Sequence, residues 1–139
     1  LILITMNELY LYFRTVAAAD DDALTGDSCC FPLSSFAGIE PTSAVTNTVG
    51  NAVTIYFKSI INYDGVDTDN TALHSDEVIV VLDSTATVKG FMEEFVEATN
   101  LAKAKLNKNF LVIADDSSSE YFSSLINNVN AVTIQEILD

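Results

Sequence analysis

Positive charge, histidine, glycine and tryptophan are all scarce in this sequence, and each shortage removes a class of function. Six lysines and arginines stand against 20 aspartates and glutamates in 139 residues, a formal net charge of −14. A field of that sign repels nucleic-acid phosphates and anionic lipid heads, so neither nucleic acid nor membrane is an expected partner. Three of the cations, Lys103, Lys105 and Lys108, lie close together and read as a solvated helix end. The same acidity suits a protein kept soluble in salty water, where screening relaxes self-repulsion. Five glycines without a cluster leave neither a P-loop nor a dinucleotide fingerprint. There is no tryptophan to build a sugar cleft. No apolar run approaches the roughly 18 residues needed to cross a bilayer.

Cysteine is nearly absent too. The only two are neighbours, Cys29-Cys30, and adjacent cysteines rarely bridge because the ring strains the peptide between them. A disulfide framework is excluded, and the pair reads as two small, partly buried apolar residues. An intermolecular bridge or a redox thiol are the functional alternatives. The start of the chain, Leu1-Ile2-Leu3-Ile4-Thr5-Met6, has no basic lead-in and is interrupted by Asn7 and Glu8, which makes a poor signal peptide.

What is present is core material. Hydrophobic residues form 49% of the chain, enough for one packed domain spanning 1–139. Segment 9–16 has the aromatic and aliphatic make-up of a strand, and 52–60 that of a second. Tyr56-Phe57-Lys58-Ser59 echoes Tyr12-Phe13-Arg14-Thr15, with Asp64 standing where Asp20 did, which suggests a strand-plus-acidic-loop unit used twice. Between them, 26–51 carries three glycines, two prolines and many serines and threonines, and reads as a long irregular excursion reaching a neighbour. After a polar loop at 62–76, the continuous apolar run 77–82 implies a strand buried on both faces, hence central.

Asp83-Ser84 offers an N-cap, and Val88, Phe91, Met92, Phe95, Val96, Thr99 and Ala102 recur at helical spacing to about 104. Segment 109–114 is a fourth strand. Ser117 with Glu120 forms a capping box for a second, shorter helix lined by Tyr121, Phe122, Leu125 and Ile126 and stopped at Asn127-Asn128. Segment 131–135 alternates as a last strand. The expected fold is therefore α+β: a mixed sheet of about five strands, two helices on one face, order β-β-β-α-β-α-β. If the strands flanking the first helix are parallel, their crossover should be right-handed.

The search for chemistry yields no catalytic, cofactor-binding or metal-binding residue. His74, Ser75 and Asp76 are consecutive, whereas a triad needs side chains converging from separate elements. A Cys29 or Cys30 pair with His74 has no supporting motif, so His74 reads as a surface loop residue. Asp20-Asp21-Asp22 and the acidic segment 64–70 are oxygen-rich, as calcium loops are, but lack the glycine and terminal glutamate of an EF-hand and read as solvated turns. Carboxylates for glycoside hydrolysis are too abundant to carry a signal.

Tyr56-Phe57-Lys58-Ser59, the buried strand, the amphipathic helix and then Phe110-Leu111-Val112-Ile113-Ala114-Asp115-Asp116 resemble small virion structural proteins of tailed phages, especially marine cyanobacterial ones. The resemblance covers about 52–135 and rests on style rather than an invariant motif. It implies a cofactor-free, capsid-decorating or other virion component, present in many copies and binding other virion proteins and itself. Its localisation would be the virion, and no family site residue carries over. The expected function is thus non-enzymatic assembly, with strands near 9–16 and 131–135 exposed for pairing across subunits. The alternatives are a small cytoplasmic binding or regulatory module for a peptide or small ligand, and an enzyme using scattered carboxylates or the cysteines.

Overall fold

The computed structural model describes residues 8–16, 18, 22–42, 50–59, 75–105 and 109–134. They form two four-stranded sheets and one helix, in place of the expected single sheet with two helices. The strands are β1 (Tyr10–Arg14), β2 (Ser28–Pro32), β3 (Phe36–Thr42), β4 (Ala52–Lys58), β5 (Ser75–Leu82), β6 (Phe110–Asp115), β7 (Glu120–Tyr121) and β8 (Ile126–Thr133), with α1 (Val88–Ala104) between β5 and β6. Sheet A runs β2-β1-β6-β7 and sheet B runs β3-β4-β5-β8. Sheet B is antiparallel throughout, while β1 and β6 pair parallel at the centre of sheet A.

Three expectations fail for identifiable reasons. The supposed excursion at 26–51 contains β2, a single 3-10 turn at Leu33–Ser35, and β3; only 43–49 within it lies outside the described residues. Its polar composition hid a few apolar anchors, Phe31, Phe36 and Ile39, which pack on the core while serine, glycine and proline occupy edge positions. The second helix does not form. Asp115 accepts from the Ser117 N–H (2.9 Å) and hydroxyl (2.5 Å), and Ser119 takes a left-handed φ of 53°. Together they close a hairpin between β6 and β7. The last strand starts five residues early, at Ile126, and the expected Gln135 lies outside the described residues. Asn127 and Asn130 are the extra residues at two irregularities in its pairing with β5. These bulges space the buried Ile126, Val129 and Val132 three apart, a period that imitates a helix.

The helix itself matches its expected span, but its cap is Thr87, whose Oγ1 accepts from the Gly90 N–H at 3.0 Å. Asp83 instead turns back on the Ser84 N–H. Since β5 belongs to sheet B and β6 to sheet A, α1 bridges the sheets, and the two strands that flank it do not form the expected parallel pair. It drops Phe91, Phe95, Thr99 and Ala102 into the core. Ser123 Oγ donates to Glu94 at 2.7 Å and ties the helix to the segment before β8.

Seven of the eight phenylalanines join in one ring network. Phe31 stacks on Phe57 at 4.2 Å, and both meet Phe13 edge-on at about 6 Å. Phe36 leads from Phe57 to Phe95, and Phe91 and Phe95 meet Phe122. The two echoed motifs of the sequence thus face one another, Phe13 from sheet A against Phe57 from sheet B. Ring pairs of this kind add about 0.5–1.5 kcal/mol each beyond area burial. Gly50 is required by crowding: a Cβ there would lie 2.5 Å from the Asp83 carbonyl oxygen.

Candidate functional site

The eighth phenylalanine points the other way. Leu11 and Phe13 of β1 are fully buried, so Tyr10 and Tyr12 stand on the outer face of sheet A. Register carries that face across the sheet: Tyr10 lies between Pro32 and Phe110, and Tyr12 between Cys30 and Val112. Phe110 is 52% exposed and touches the Tyr12 ring at 5.5 Å. The result is an aromatic and aliphatic patch on an otherwise acidic chain. At its end Arg14 is buried, its guanidinium donating to the Val16 and Ala18 carbonyls and reaching Asp22 at 3.5 Å. Asp22 also accepts from Ser28 Oγ at 2.8 Å, so it links Arg14 at the end of β1 to the start of β2.

Beside the patch runs an incomplete sheet edge. β7 pairs only with Ala114 and Asp115, and Phe122 N–H adds one bond to Ile113 O. From Phe110 to Val112 no described strand lies on that side of β6. Tyr10 N–H bonds to Asn109 O at 2.7 Å, which fixes the alternation in this parallel pair. The N–H and C=O groups of Phe110 and Val112 therefore face the open side. A groove of about 340 Å³ lies there, lined by residues 109–112 and by Glu120, Tyr121 and Phe122. The outer face of α1 carries a shallower apolar stripe, with Met92, Val96 and Leu101 set between Glu93 and Glu97.

The residues singled out for chemistry do not converge. Cys29 packs against the core and Cys30 faces out on β2. Burial pushes the Cys29 thiol up to about 11, with the nearby charge of Asp76 adding to the effect, and burial also raises Cys30. Both are poor nucleophiles at neutral pH. His74, the acidic segment 64–70, Asp20 and Asp21 lie outside the described residues, as does Lys108. Among the described residues no three histidine, cysteine, aspartate or glutamate side chains are grouped to hold a metal ion. No described helix is long and apolar enough to span a membrane.

Two carboxylates at the β6–β7 turn act structurally. Asp116 accepts from Tyr121 Oη (2.8 Å) and from Val129 N–H (3.1 Å), joining the sheets through a side chain. Burial raises its pKa against those bonds, and burial together with Asp116 lifts Tyr121 to about 12. For Asp115, burial is outweighed by the Ser117 and Ser118 bonds and by Arg14, which hold it below the ordinary value.

The expected strand exposure is half corrected. β1 is internal, flanked by β2 and β6, whereas β8 does form an edge of sheet B. The open edge at β6 escaped sequence reasoning, because 109–114 reads as a well-buried apolar run. The signal was Phe110 and Val112 alternating with Leu111 and Ile113 under a turn that begins too late to cover them. No protein-family model matches the chain, and no curated protein or solved structure resembles it closely enough to inform its function.

Proposed function

We propose that this chain is a non-enzymatic assembly protein that attaches to a neighbouring protein surface in a virion of a tailed phage, in many copies. The observation that supports the reading is the outer face of sheet A. Phe110, Tyr10, Tyr12, Val112 and Pro32 form a continuous apolar surface facing away from the core. Aromatic side chains of this kind are the usual anchors of protein interfaces, where a buried apolar centre sits inside a polar rim. Asp22 near Arg14 and Glu120 in the adjoining groove put negative charge beside this face, which limits wrong partners while the aromatic centre supplies contact area. The stylistic resemblance of 52–135 described above supports a phage capsid or tail as the attachment surface.

Mass spectrometry of purified phage particles encoding the chain, with light scattering of the isolated protein, tests the proposal. Recovery from particles in many copies is the expected result, and Tyr12→Ser with Phe110→Ser should abolish incorporation while leaving the fold intact. A chain absent from particles that co-purifies with one soluble host protein would replace this reading with the cytoplasmic binding module.

A further inference from the structure

We infer that the open edge of β6 is a strand-addition site that takes an extended, positively charged peptide segment of a partner protein. The inference deepens the assembly reading by naming how the partner engages and what chemistry it carries. Three features at one place support it. The backbone N–H and C=O groups of Phe110 and Val112 face the side of β6 that β7 leaves uncovered. The groove of about 340 Å³ lies along the same residues, walled on its far side by Glu120, Tyr121 and Phe122. The groove also adjoins the aromatic face, since Phe110 belongs to both.

An incoming strand would continue sheet A beyond β6. The stretch left uncovered among the described residues, three residues from Phe110 to Val112, spans roughly 10 Å at the rise of a strand. That length admits a short segment of a few residues rather than a whole hairpin. Its main chain would bond to Phe110 and Val112, and alternate side chains would enter the groove against Phe122 and Leu111.

The charge of the occupant follows from electrostatics. Glu120 lines the groove, and the chain carries −14 overall. A second copy would bring the same charge to the contact and is opposed by it, whereas lysine or arginine on the alternate positions is attracted.

Amide hydrogen exchange read by nuclear magnetic resonance on the whole chain tests this, with synthetic Lys-Val-Lys-Val-Lys-Val as probe and Glu-Val-Glu-Val-Glu-Val as control. The expected result is roughly tenfold slower exchange at Phe110 and Val112 with the basic probe alone, the size of one added hydrogen bond. Glu120→Lys, on an exposed position, should weaken the probe several-fold at low salt, and about 1 M salt should do the same to the unaltered protein. Equal binding of both peptides overturns the inference, as does protection confined to Tyr10 and Tyr12. Protection at Phe110 and Val112 without peptide, accompanied by a dimer in light scattering, would assign the edge to a second copy and overturn it as well. Particle incorporation that persists in a chain unable to bind the basic probe would remove the groove and leave the assembly reading standing.

Discussion

Replacing Phe57 by alanine probes the ring network that joins the two sheets. Phe57 is fully buried on β4 and meets three other rings, stacked on Phe31 at 4.2 Å and edge-on to Phe13 and Phe36 at 5.8 and 6.1 Å. Truncating a buried phenylalanine costs about 3–5 kcal/mol through lost transfer energy and the cavity left behind. Three ring contacts, each worth about 0.5–1.5 kcal/mol, place this site in the upper part of that range, at about 4–5 kcal/mol. A domain of this size has only about 5–15 kcal/mol to lose, and each kcal/mol moves the midpoint of thermal unfolding by about 3–5 °C. The Tm should therefore fall by about 12–25 °C. Phe110→Ala is the matched control: the same residue type, half exposed, with one ring contact to Tyr12. Its cost should be about 1 kcal/mol or less. Urea titrations followed by circular dichroism measure both. A loss under about 2 kcal/mol for Phe57→Ala, or equal losses for the two variants, would refute the view that this network couples the sheets.

Three further outcomes are expected. Gly50→Ala should destabilise by about 1–3 kcal/mol in the same titration, because its Cβ would meet the Asp83 backbone at 2.5 Å and no flexible side chain can yield there. In an alkaline titration followed by tyrosinate absorbance, Tyr56 and Tyr121 should ionise late, each near 12. The bond from Tyr56 to Glu40 is the main cause for the first, and burial for the second. Because these folded values exceed the ordinary 10, their contribution to stability is complete below pH 10 and is lost as pH rises toward 12, and Tyr56→Phe should remove one late step. With a thiol reagent at neutral pH, Cys30 should react first and Cys29 only as the structure opens, so two equally fast thiols would contradict the placement of Cys29 against the core.

The strands around Tyr10, Ala52, Val78 and Leu111 and the helix from Val88 were legible because their apolar patterns are long and regular. Three kinds of signal misled. At 28–42, strands with few apolar residues lie at sheet edges, where polar side chains are tolerated, so composition resembled a loop. At 126–133, Asn127 and Asn130 bulge out and convert a strand's spacing into one that mimics a helix turn. At 117–120, a serine and a glutamate at capping distance were used for a hairpin, since Asp115 captures Ser117 first. Sheet partnership was not legible at all. Nothing local to Tyr10 or Phe110 says that they pair across most of the chain, and so the aromatic face and the open edge that depend on that pairing stayed hidden.

That pairing also sets an order of events during synthesis. The central ladder of sheet A joins Tyr10 to Phe110, so β1 leaves the ribosome long before its neighbour exists. At roughly 5–20 residues per second, the intervening hundred residues take on the order of 5–20 s. Sheet B has no such delay along β3, β4 and β5, which follow one another and can zip as consecutive antiparallel neighbours. The nascent chain should thus hold a half-finished barrier of β3–β5 first, with β1 and β2 waiting as a two-stranded ribbon. Translation rate and early chaperone contact would act on that waiting ribbon more than on any other part of the molecule.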